Sequence, residues 1–289
     1  MASASKIAVI GARSFMAQYF VRAMSVIAPE VEAVCLDRPE VDLSSRASLA
    51  ATLGEIEAGY VVNFAAISSV TGSDVQDIYR TNAFGQLNLL ETLGDIGFSG
   101  RLLFVSSGNV YGSKPFTCDE STALAPQNHY GCSKVLAEQF CNWFTEQLDV
   151  VIARPMNCIG VGQKPFFLVP KLVHAFSQRQ DELAMGNLDV ARDFVDIRDA
   201  AEMLALVLLK GERGQVYNVS NGTTHSIRAL LEILAESTGH EMQVRIDPQF
   251  IRPNDLTYQC ASNEKVKQLG YNQQYRIDQT LQWMLGDEI

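Results

Sequence analysis

Apolar residues in the first half of the chain fall into short runs that alternate with longer amphipathic stretches. The runs predict β-strands at Lys6–Ile10, Glu32–Leu36, Tyr60–Phe64, Leu102–Ser106 and Val150–Ala153. The amphipathic stretches predict helices at Ser14–Ile27, Arg46–Glu57, Asp77–Leu93 and Tyr130–Gln147. Strands that are apolar throughout are typical of a sheet covered on both faces, and strand–helix alternation indicates parallel strands with right-handed crossovers. The predicted fold class is therefore α/β, with a doubly wound parallel sheet.

The pattern loosens after about Arg154, where glycines and prolines become frequent. Later strand-like pieces follow at Val216–Val219 and Gln243–Ile246. We therefore expect residues 1–155 to form the sheet domain and residues 156–289 to form mainly a smaller second lobe. Ala191–Lys210 again predicts a strand followed by a helix, so residues 190–220 are expected to return to the sheet and to interleave the two lobes.

Composition limits the partners. The chain has 289 residues, 47% of them hydrophobic, which is enough for a full core. Its 23 Lys and Arg against 33 Asp and Glu give a formal net charge of -10. The field of the whole molecule repels polyanions, so neither nucleic acid nor an anionic membrane is an expected partner. A small anionic ligand held by a few local arginines remains allowed.

Neither export nor metal binding is predicted. Residues 1–5 are mostly small and polar, and the first apolar run stops at Gly11, too soon for a signal peptide or a membrane span. A cytoplasmic protein is therefore expected. The six cysteines and four histidines are scattered, without a C-x-x-C pair, which favours neither a disulfide framework nor a zinc site.

Ligands of a doubly wound sheet bind beyond the carboxyl ends of its strands, which directs attention to the turn after the first strand. Here Gly11 allows a tight bend and Ala17 allows close helix packing, while Ser14 stands where a dinucleotide-binding turn usually has its second glycine. The turn is either such a site, with Ser14 reaching a phosphate, or a plain strand-to-helix turn with Ser14 as N-cap. In the first case the residues at the cofactor are Gly11, Arg13, Ser14, Phe15 and Met16.

The end of the second strand bears on which dinucleotide binds. Asp37 is placed to accept from a ribose 2′-hydroxyl, whereas Arg13 and Arg38 are placed to meet a 2′-phosphate. Two guanidiniums against one carboxylate favour NADPH over NADH, unless either arginine is a solvated surface charge. Asp42, followed by Leu43, is placed either to accept from an adenine amino group or to cap the next helix.

A second group of residues indicates acid–base chemistry. Tyr130 and Lys134 are four residues apart on a predicted helix, so both side chains project from one face. A phenol has a pKa of about 10, and a nearby ammonium favours the phenolate and lowers that pKa. Ser107, at the end of the fourth strand, faces the same crevice. Each residue has a structural explanation of its own, but the three together predict an active site.

These motifs, with four others, resemble the extended short-chain dehydrogenase/reductase family, in its nucleotide-sugar branch. The others are Asn63-Phe64-Ala65-Ala66, Thr81-Asn82 with Gly85 and Asn88, Val110-Tyr111-Gly112, and Arg154-Pro155 with Asn157 and Gly160. The match covers nearly the whole chain, and the order and spacing of the motifs make it specific. It implies a Rossmann-type dinucleotide-binding domain and a C-terminal substrate lobe. It also brings Ala65, Ala66, Tyr130, Lys134 and Pro155 into the cofactor site.

The reaction is narrowed by the two positions after Ser107. The 4,6-dehydratases of this branch carry a carboxylate there, whereas this chain has Gly108 and Asn109, neither of which titrates. The chain is most similar to GDP-4-keto-6-deoxy-D-mannose reductases, which make GDP-D-rhamnose. That resemblance implies reduction of a GDP-linked 4-keto-6-deoxy sugar by NADPH or NADH, with Tyr130 donating the proton. It places these residues at the sugar nucleotide: Ser107, Asn109, Asn157, Arg192 and Arg252.

Two alternatives stay open. One is an NDP-sugar 4-epimerase with tightly bound NAD, and the other is a catalytically degenerate nucleotide-sensing or interaction protein. Ser14, Val161 in place of a usual proline, and the short span from Asp37 to Asp42 depart from the family pattern and imply weaker or less selective cofactor binding. Many relatives pair the helices that match Asp77–Leu93 and Tyr130–Gln147 in a dimer interface, so a homodimer is expected.

Overall fold

The predicted strands of the first half pair in one parallel sheet. The structure, a computed structural model, describes residues 5–68, 74–250 and 256–288. Its strands are, in chain order, β1 (Lys6–Ile10), β2 (Glu32–Leu36), β3 (Ala58–Asn63), β4 (Arg101–Val105), β5 (Asp149–Pro155), β6 (Asn157–Ile159), β7 (Glu182–Met185), β8 (Ala191–Arg192), β9 (Phe194–Asp196), β10 (Val216–Val219), β11 (His225–Ser226), β12 (Gln243–Ile246) and β13 (Tyr258–Gln259).

The helices follow the same order along the chain. They are α1 (Phe15–Ile27), α2 (Arg46–Ile56), α3 (Val75–Tyr79), α4 (Gly85–Asp95), α5 (His129–Trp143), α6 (Leu168–Ser177), α7 (Ile197–Lys210), α8 (Ile227–Thr238), α9 (Glu264–Lys267) and α10 (Ile277–Glu288). A π-helical turn, Arg80–Phe84, joins α3 to α4, and 3₁₀ turns lie at Gly108–Val110 and Pro248–Phe250.

The main sheet has the order β2-β1-β3-β4-β5-β10, and every pairing in it is parallel. Alternate residues of β1 enter different apolar layers: Ile7 and Val9 pack towards α1 and α7, whereas Ala8 and Ile10 pack towards α2, α4 and α5. Both faces are therefore buried, which explains why the strands are apolar throughout. The predicted α/β doubly wound class is confirmed.

A third apolar layer is formed by elements outside the main sheet. It joins α6, α8 and α10 with the β7–β12 pair. The remaining strands form two smaller sheets, β6–β9 and β11-β8-β13. After entering this region the chain returns to the main sheet through α7, which packs on α1, and through β10, which pairs with β5.

Element boundaries differ from the predicted ones where tertiary contacts decide them. The predicted helix Asp77–Leu93 is interrupted by the π-helical turn, inside which Asn82 is buried. Its amide donates to the carbonyl of Ile67 at 3.0 Å and its carbonyl accepts from the Ile67 N–H at 2.8 Å. The widened turn thus lets one side chain satisfy the backbone of the loop after β3.

The turn after β1 requires glycine. Gly11 has a φ of +76°, and a Cβ built on it would lie 2.6 Å from the backbone nitrogen of Ala65. We expect Gly11→Ala to lower the free energy of unfolding by about 2 kcal/mol or more, because left-handed strain adds to a collision with backbone. Urea titration measures this. Gly54→Ala, inside α2 with open space around the new Cβ, is the matched control and should not destabilise.

Candidate active site

A cleft of about 550 Å³ lies at the carboxyl ends of β1, β3, β4 and β5. Its walls come from five places in the sequence. They are Arg13, Ser14, Phe15, Met16 and Gln18 at the first turn, Phe64, Ala66, Ile67 and Ser68 after β3, Val105, Ser106 and Ser107 at the end of β4, Tyr130 and Lys134 in α5, and Pro155, Met156, Gly162, Gln163, Lys164, Phe166 and Phe167 after β5. Segments predicted to carry the chemistry thus meet in one cavity.

The first turn presents the N-terminus of α1 to the cleft. Ser14 is the N-cap of α1 and accepts from the N–H of Ala17 at 3.4 Å, so the capping role is present in the structure. Ser14 also lines the cleft, which leaves the remaining N–H groups of the first turn facing a position suited to an anion. Gly11 and Ala65 lie behind this turn in close contact, and they shape the cleft without lining it.

The end of β2 joins the first turn through ionic contacts. The backbone N–H of Arg13 donates to the carboxylate of Asp37 at 3.1 Å, and its guanidinium lies 3.5 Å from the same group. Arg38 pairs with Asp42 at 2.8 Å. Both guanidiniums are largely exposed, so the arginines predicted to meet a 2′-phosphate stand at the surface beside the carboxylate predicted to meet a 2′-hydroxyl.

Asp42 does not cap a helix. The N-cap of α2 is Ser45, which accepts from the N–H of Ser48 at 3.2 Å, so the capping alternative for Asp42 is wrong. Asp42 instead accepts from the N–H of Ser44 at 2.9 Å and from its hydroxyl, and these bonds lower the pKa of the Asp42 carboxyl. The side chain of Leu43 is buried in the layer between the sheet and α4.

Ser107 and Tyr130 meet at the floor of the cleft. Ser107 directly follows β4 and is 7% exposed. Its hydroxyl oxygen accepts from the N–H of Asn109 at 3.2 Å and from the side-chain amide of Asn109 at 3.1 Å. The side chain of Ser107 also hydrogen-bonds the phenol of Tyr130. Because Asn109 supplies two donors, the Ser107 proton is directed to the phenol or to a ligand in its place.

The phenol of Tyr130 is kept protonated by its surroundings. Burial raises its pKa, and the hydrogen bond with Ser107 acts in the opposite direction. The expectation that Lys134 draws this pKa down is therefore wrong for this structure. The Nζ of Lys134 donates to the carbonyl of Val105 at 2.8 Å and lies 6.0 Å from the centre of the Tyr130 ring, so its proton is directed at the strand.

Lys134 itself is 4% exposed. Burial lowers its pKa to about 8, and the carboxylate of Glu138 is among the groups that oppose this. The ammonium also lies 5.0 Å from the centre of the Phe104 ring, a cation–π contact. The side chain is thus a cation in a largely apolar setting at the inner end of the cleft.

The residues predicted to bind the sugar do not all meet at the cleft. Asn157 donates to the carbonyl of Asp193 at 3.1 Å and to Gln259 at 2.9 Å, so it links the small sheets. Arg192 lies in β8, paired with β11 and β13, and outside the cleft wall. Arg252 lies outside the described residues.

Three buried residues beside the site were not predicted as site residues from the sequence. Ser106 and the guanidinium of Arg154 both donate to the carboxylate of Glu138, at 3.0 and 2.7 Å in the case of Arg154. A signal for them existed. Glu138 is four residues beyond Lys134, and Arg154 is a charged residue in an otherwise apolar stretch of strand.

The loop between β6 and α6 was also missed, although it forms one wall of the cleft. It contributes Gln163, Lys164, Phe166 and Phe167 to the lining. The hydroxyl of Tyr19 in α1 donates to the carbonyl of Val161 at 2.9 Å, which ties this loop to the helix that follows the first turn.

The cavity fits a dinucleotide by the chemistry of its walls. At one end a helix N-terminus and arginine side chains suit phosphates, and the Gly11 backbone approaches Ala65 where a Cβ has no room. At the other end Lys134 and Tyr130 provide donors beside the strand ends. Asp37 lies at the end of β2, where ribose hydroxyls are usually recognised.

Known proteins share this arrangement. Residues 19–284 match the model of the GDP-mannose 4,6 dehydratase family. The chain belongs to that family. It is 35% identical over 219 residues to the GDP-6-deoxy-D-mannose reductase of Pseudomonas aeruginosa, which covers 72% of each chain. It is 28% identical over 229 residues to the GDP-6-deoxy-D-talose 4-dehydrogenase of Aggregatibacter actinomycetemcomitans, covering 78% of each.

Solved structures agree with the family assignment. The structure of RMD from Pseudomonas aeruginosa complexed with NADPH matches with a TM-score of 0.88 and 30% identity, covering 98% of both chains. As a member of the GDP-mannose 4,6 dehydratase family, the chain is an NAD(P)-dependent nucleotide-sugar enzyme of the extended short-chain dehydrogenase/reductase type. The resemblance inferred from the motifs is confirmed.

Two further features bear on this family member. Within residues 5–68, 74–250 and 256–288, no helix combines the length and apolarity needed to cross a bilayer. The same part of the chain shows no group of three or more His, Cys, Asp or Glu residues arranged to hold a metal ion.

Burial of the Lys134 ammonium lowers the free energy of unfolding by an amount that can be measured. Lowering its pKa from 10.5 to about 8 corresponds to about 3 kcal/mol at neutral pH. We expect Lys134→Met to raise the free energy of unfolding by about 1–3 kcal/mol at pH 7, less than the full cost because the bond to Val105 is lost.

The sign follows from the direction of the shift. The folded chain releases this proton above about pH 8 and the unfolded chain above about 10.5, so the gain from Lys134→Met should shrink as the pH rises between these values. Denaturant unfolding at several pH values measures it. Lys210→Met is the matched control, since Lys210 is exposed and also donates to a carbonyl, that of Leu269. A gain of equal size in both variants would contradict the prediction.

Proposed function

We propose that the chain reduces the 4-keto group of a GDP-linked 4-keto-6-deoxyhexose with NAD(P)H, giving a GDP-6-deoxyhexose such as GDP-D-rhamnose. The observation that carries the proposal is the hydrogen-bonded pair of Ser107 and Tyr130 on the cleft floor, with Tyr130 protonated and no carboxylate at the two positions after Ser107. The relatives support GDP as the nucleotide, because the enzymes of Pseudomonas aeruginosa and Aggregatibacter actinomycetemcomitans are both named for GDP-deoxy sugars.

The position of each residue in the cleft determines its role in the proposed reaction. Ser107 donates to the ketone oxygen and holds it beside Tyr130, and Tyr130 gives the proton that converts this oxygen to a hydroxyl. Lys134 would hold the nicotinamide ribose. Bound nicotinamide would supply the hydride. The first turn would hold the phosphates of the cofactor, at Arg13, Ser14, Phe15 and Met16.

Packing supports reduction over dehydration. A Cβ built on Gly108 would lie 2.2 Å from the sulfur of Met156, so an acidic side chain at position 108 would require Met156 to move. Asn109 is engaged with Ser107 and has no proton to transfer at neutral pH. Eliminating water from a sugar needs a titrating group near the ring, and neither position offers one.

The charged groups at the end of β2 support NADPH as the preferred cofactor. Arg13 and Arg38 are both exposed and adjacent, and Arg38 pairs with the carboxylate of Asp42 at the surface. An exposed ion pair of this kind contributes little, so a 2′-phosphate can replace the carboxylate as its partner. Asp37 is engaged by Arg13, which reduces its capacity to repel that phosphate.

Turnover of the sugar tests the proposal. With GDP-4-keto-6-deoxy-D-mannose, we expect one NADPH to be oxidised for each ketone reduced, followed by NADPH absorbance and by NMR of the product. Tyr130→Phe should reduce kcat by at least about 100-fold while leaving NADPH binding near wild type, because only proton donation is removed.

Other outcomes would contradict the reductase. No consumption of NADPH with the keto sugar would exclude it. A non-exchanging NAD in the purified protein, with interconversion of two GDP-sugars and no net cofactor oxidation, would indicate the 4-epimerase instead. Full turnover by the Tyr130→Phe variant would show that Tyr130 is not the proton donor.

We also propose a homodimer through the outer face of α4 and α5. Trp143 is 68% exposed and Phe84 is 50% exposed. The ring of Phe140 lies between them, 5.5 Å from Trp143 and 6.4 Å from Phe84 between centroids. Large exposed aromatic residues on adjacent helices are typical of an interface core, and a two-fold axis brings the same patch of each copy together.

The oligomeric state tests the dimer. Trp143→Glu should yield monomers in light scattering after size exclusion, because it places a charge in the apolar centre of the interface. Ile246→Glu is the matched control, since Ile246 is 49% exposed but lies in β12 of the second lobe. A parent chain that is monomeric, or a Trp143→Glu chain that remains dimeric, would contradict this interface.

A further inference from the structure

We propose that Glu138 is a positioning residue for Lys134: its carboxylate, gripped by Arg154 and Ser106, fixes the helix that carries the lysine and supplies the counter-charge of the buried ammonium. The expected effect of Glu138 on turnover rests on the proposed function. Its effect on the charge of Lys134 does not, because that charge can be followed without the sugar.

Helix geometry brings the two charges together. Tyr130, Lys134 and Glu138 are spaced by four residues along α5 and therefore share one face of the helix. Lys134 and Glu138 are 4% and 2% exposed. Water is excluded from both, so their charges interact more strongly than a surface pair does.

The carboxylate of Glu138 has no freedom to turn away. Its Oε1 accepts from the hydroxyl of Ser106 and from Nε of Arg154 at 3.0 Å, and its Oε2 accepts from Nη2 of Arg154 at 2.7 Å. Nη1 of Arg154 donates to the hydroxyl of Tyr111 at 2.9 Å, and that hydroxyl donates to Asn218 at 2.7 Å. The guanidinium thus donates to Glu138 on one side and to Tyr111 on the other, which holds the carboxylate in one orientation.

Each partner of Glu138 stands next to a part of the site. Ser106 precedes Ser107, and Arg154 precedes Pro155 in the cleft wall. Since one carboxylate joins these two strand ends to α5, the distance from Lys134 to the strand ends depends on it.

The charges facing Lys134 from each packed element are few within the described residues. From α5 these are Glu138, Tyr130 and Cys141, and both the phenol and the thiol have pKa values raised by burial. From β4 the ammonium meets the carbonyl of Val105 and the ring of Phe104, which do not titrate. From β5, Arg154 faces Glu138.

The direction of the effect follows. The Glu138 carboxylate raises the pKa of Lys134, against the larger lowering by burial that leaves it at about 8. Without the carboxylate the pKa falls further, so the lysine loses its proton at a lower pH. A purely structural role for Glu138 leaves this pKa where it is.

The test is the pH dependence of NADPH binding, which needs no sugar. By isothermal titration from pH 6 to 9.5, the affinity of the parent chain should decline above about pH 8 as Lys134 loses its proton. In Glu138→Gln the midpoint of this decline should move to lower pH by about one unit, a tenfold change in proton affinity. Glu138→Asp keeps the charge and should restore the parent midpoint.

Matched variants separate charge from fold stability. Asp149→Asn breaks the ion pair of Asp149 with Arg101, which joins β4 to β5 at their opposite ends, and should leave the midpoint unchanged. If Glu138→Gln does not fold, Glu138→Gln with Arg154→Met replaces the whole pair by neutral groups, a change that buried ion pairs often tolerate. That chain should show a smaller shift in the same direction, because losing the Arg154 cation opposes the effect of losing the carboxylate, and Glu138 is the member of the pair that acts on Lys134.

A midpoint that stays at the parent value in whichever of these chains folds would overturn the proposal. So would a Glu138→Asp midpoint that moves with that of Glu138→Gln. Failure of the reductase assay alone leaves the NADPH titration unaffected, so the two proposals fail separately.

Discussion

A buried ion pair, Arg154 with Glu138, joins the carboxyl ends of the central strands to the helix that carries Tyr130 and Lys134. Burying two charges costs several kcal/mol for each, and the cost is offset only when all their hydrogen-bonding groups are satisfied. Here the guanidinium bonds to Glu138 and to Tyr111, and the carboxylate also accepts from Ser106. Three segments of the site are therefore aligned by one network, and a change in any member affects the others.

The cleft shows how an acidic protein can bind an anionic cofactor. The net charge of -10 is spread over the surface, whereas the cleft collects Arg13, Lys134 and Lys164 and the N-terminus of α1. Helix N–H groups and cations act over a few ångströms, and more distant carboxylates are screened by salt. Local geometry thus decides ligand binding, while the overall charge decides which large partners are repelled.

The sequence was most informative where a residue's surroundings follow from its own segment. The sheet could be predicted because its strands are apolar on both faces, and the pairing of Tyr130 with Lys134 follows from helix spacing. The direction of the Tyr130 pKa could not be predicted, because it is set by burial in a cleft formed by several distant segments, which the spacing of Tyr130 and Lys134 does not reveal. The contacts of Asn157 with Asp193 and Gln259 could not be predicted either, because both partners are distant in sequence and no local pattern indicates them.

Packing restricts which residues can follow Ser107. A chain of this family with an acid at position 108 needs space there, and in this protein Met156 fills that space from the segment after β5. A side chain introduced at Gly108 would meet the Met156 sulfur, so Met156 would have to shift or be replaced to make room for it. The absence of an acid beside Ser107 is therefore supported by a second residue from another strand end.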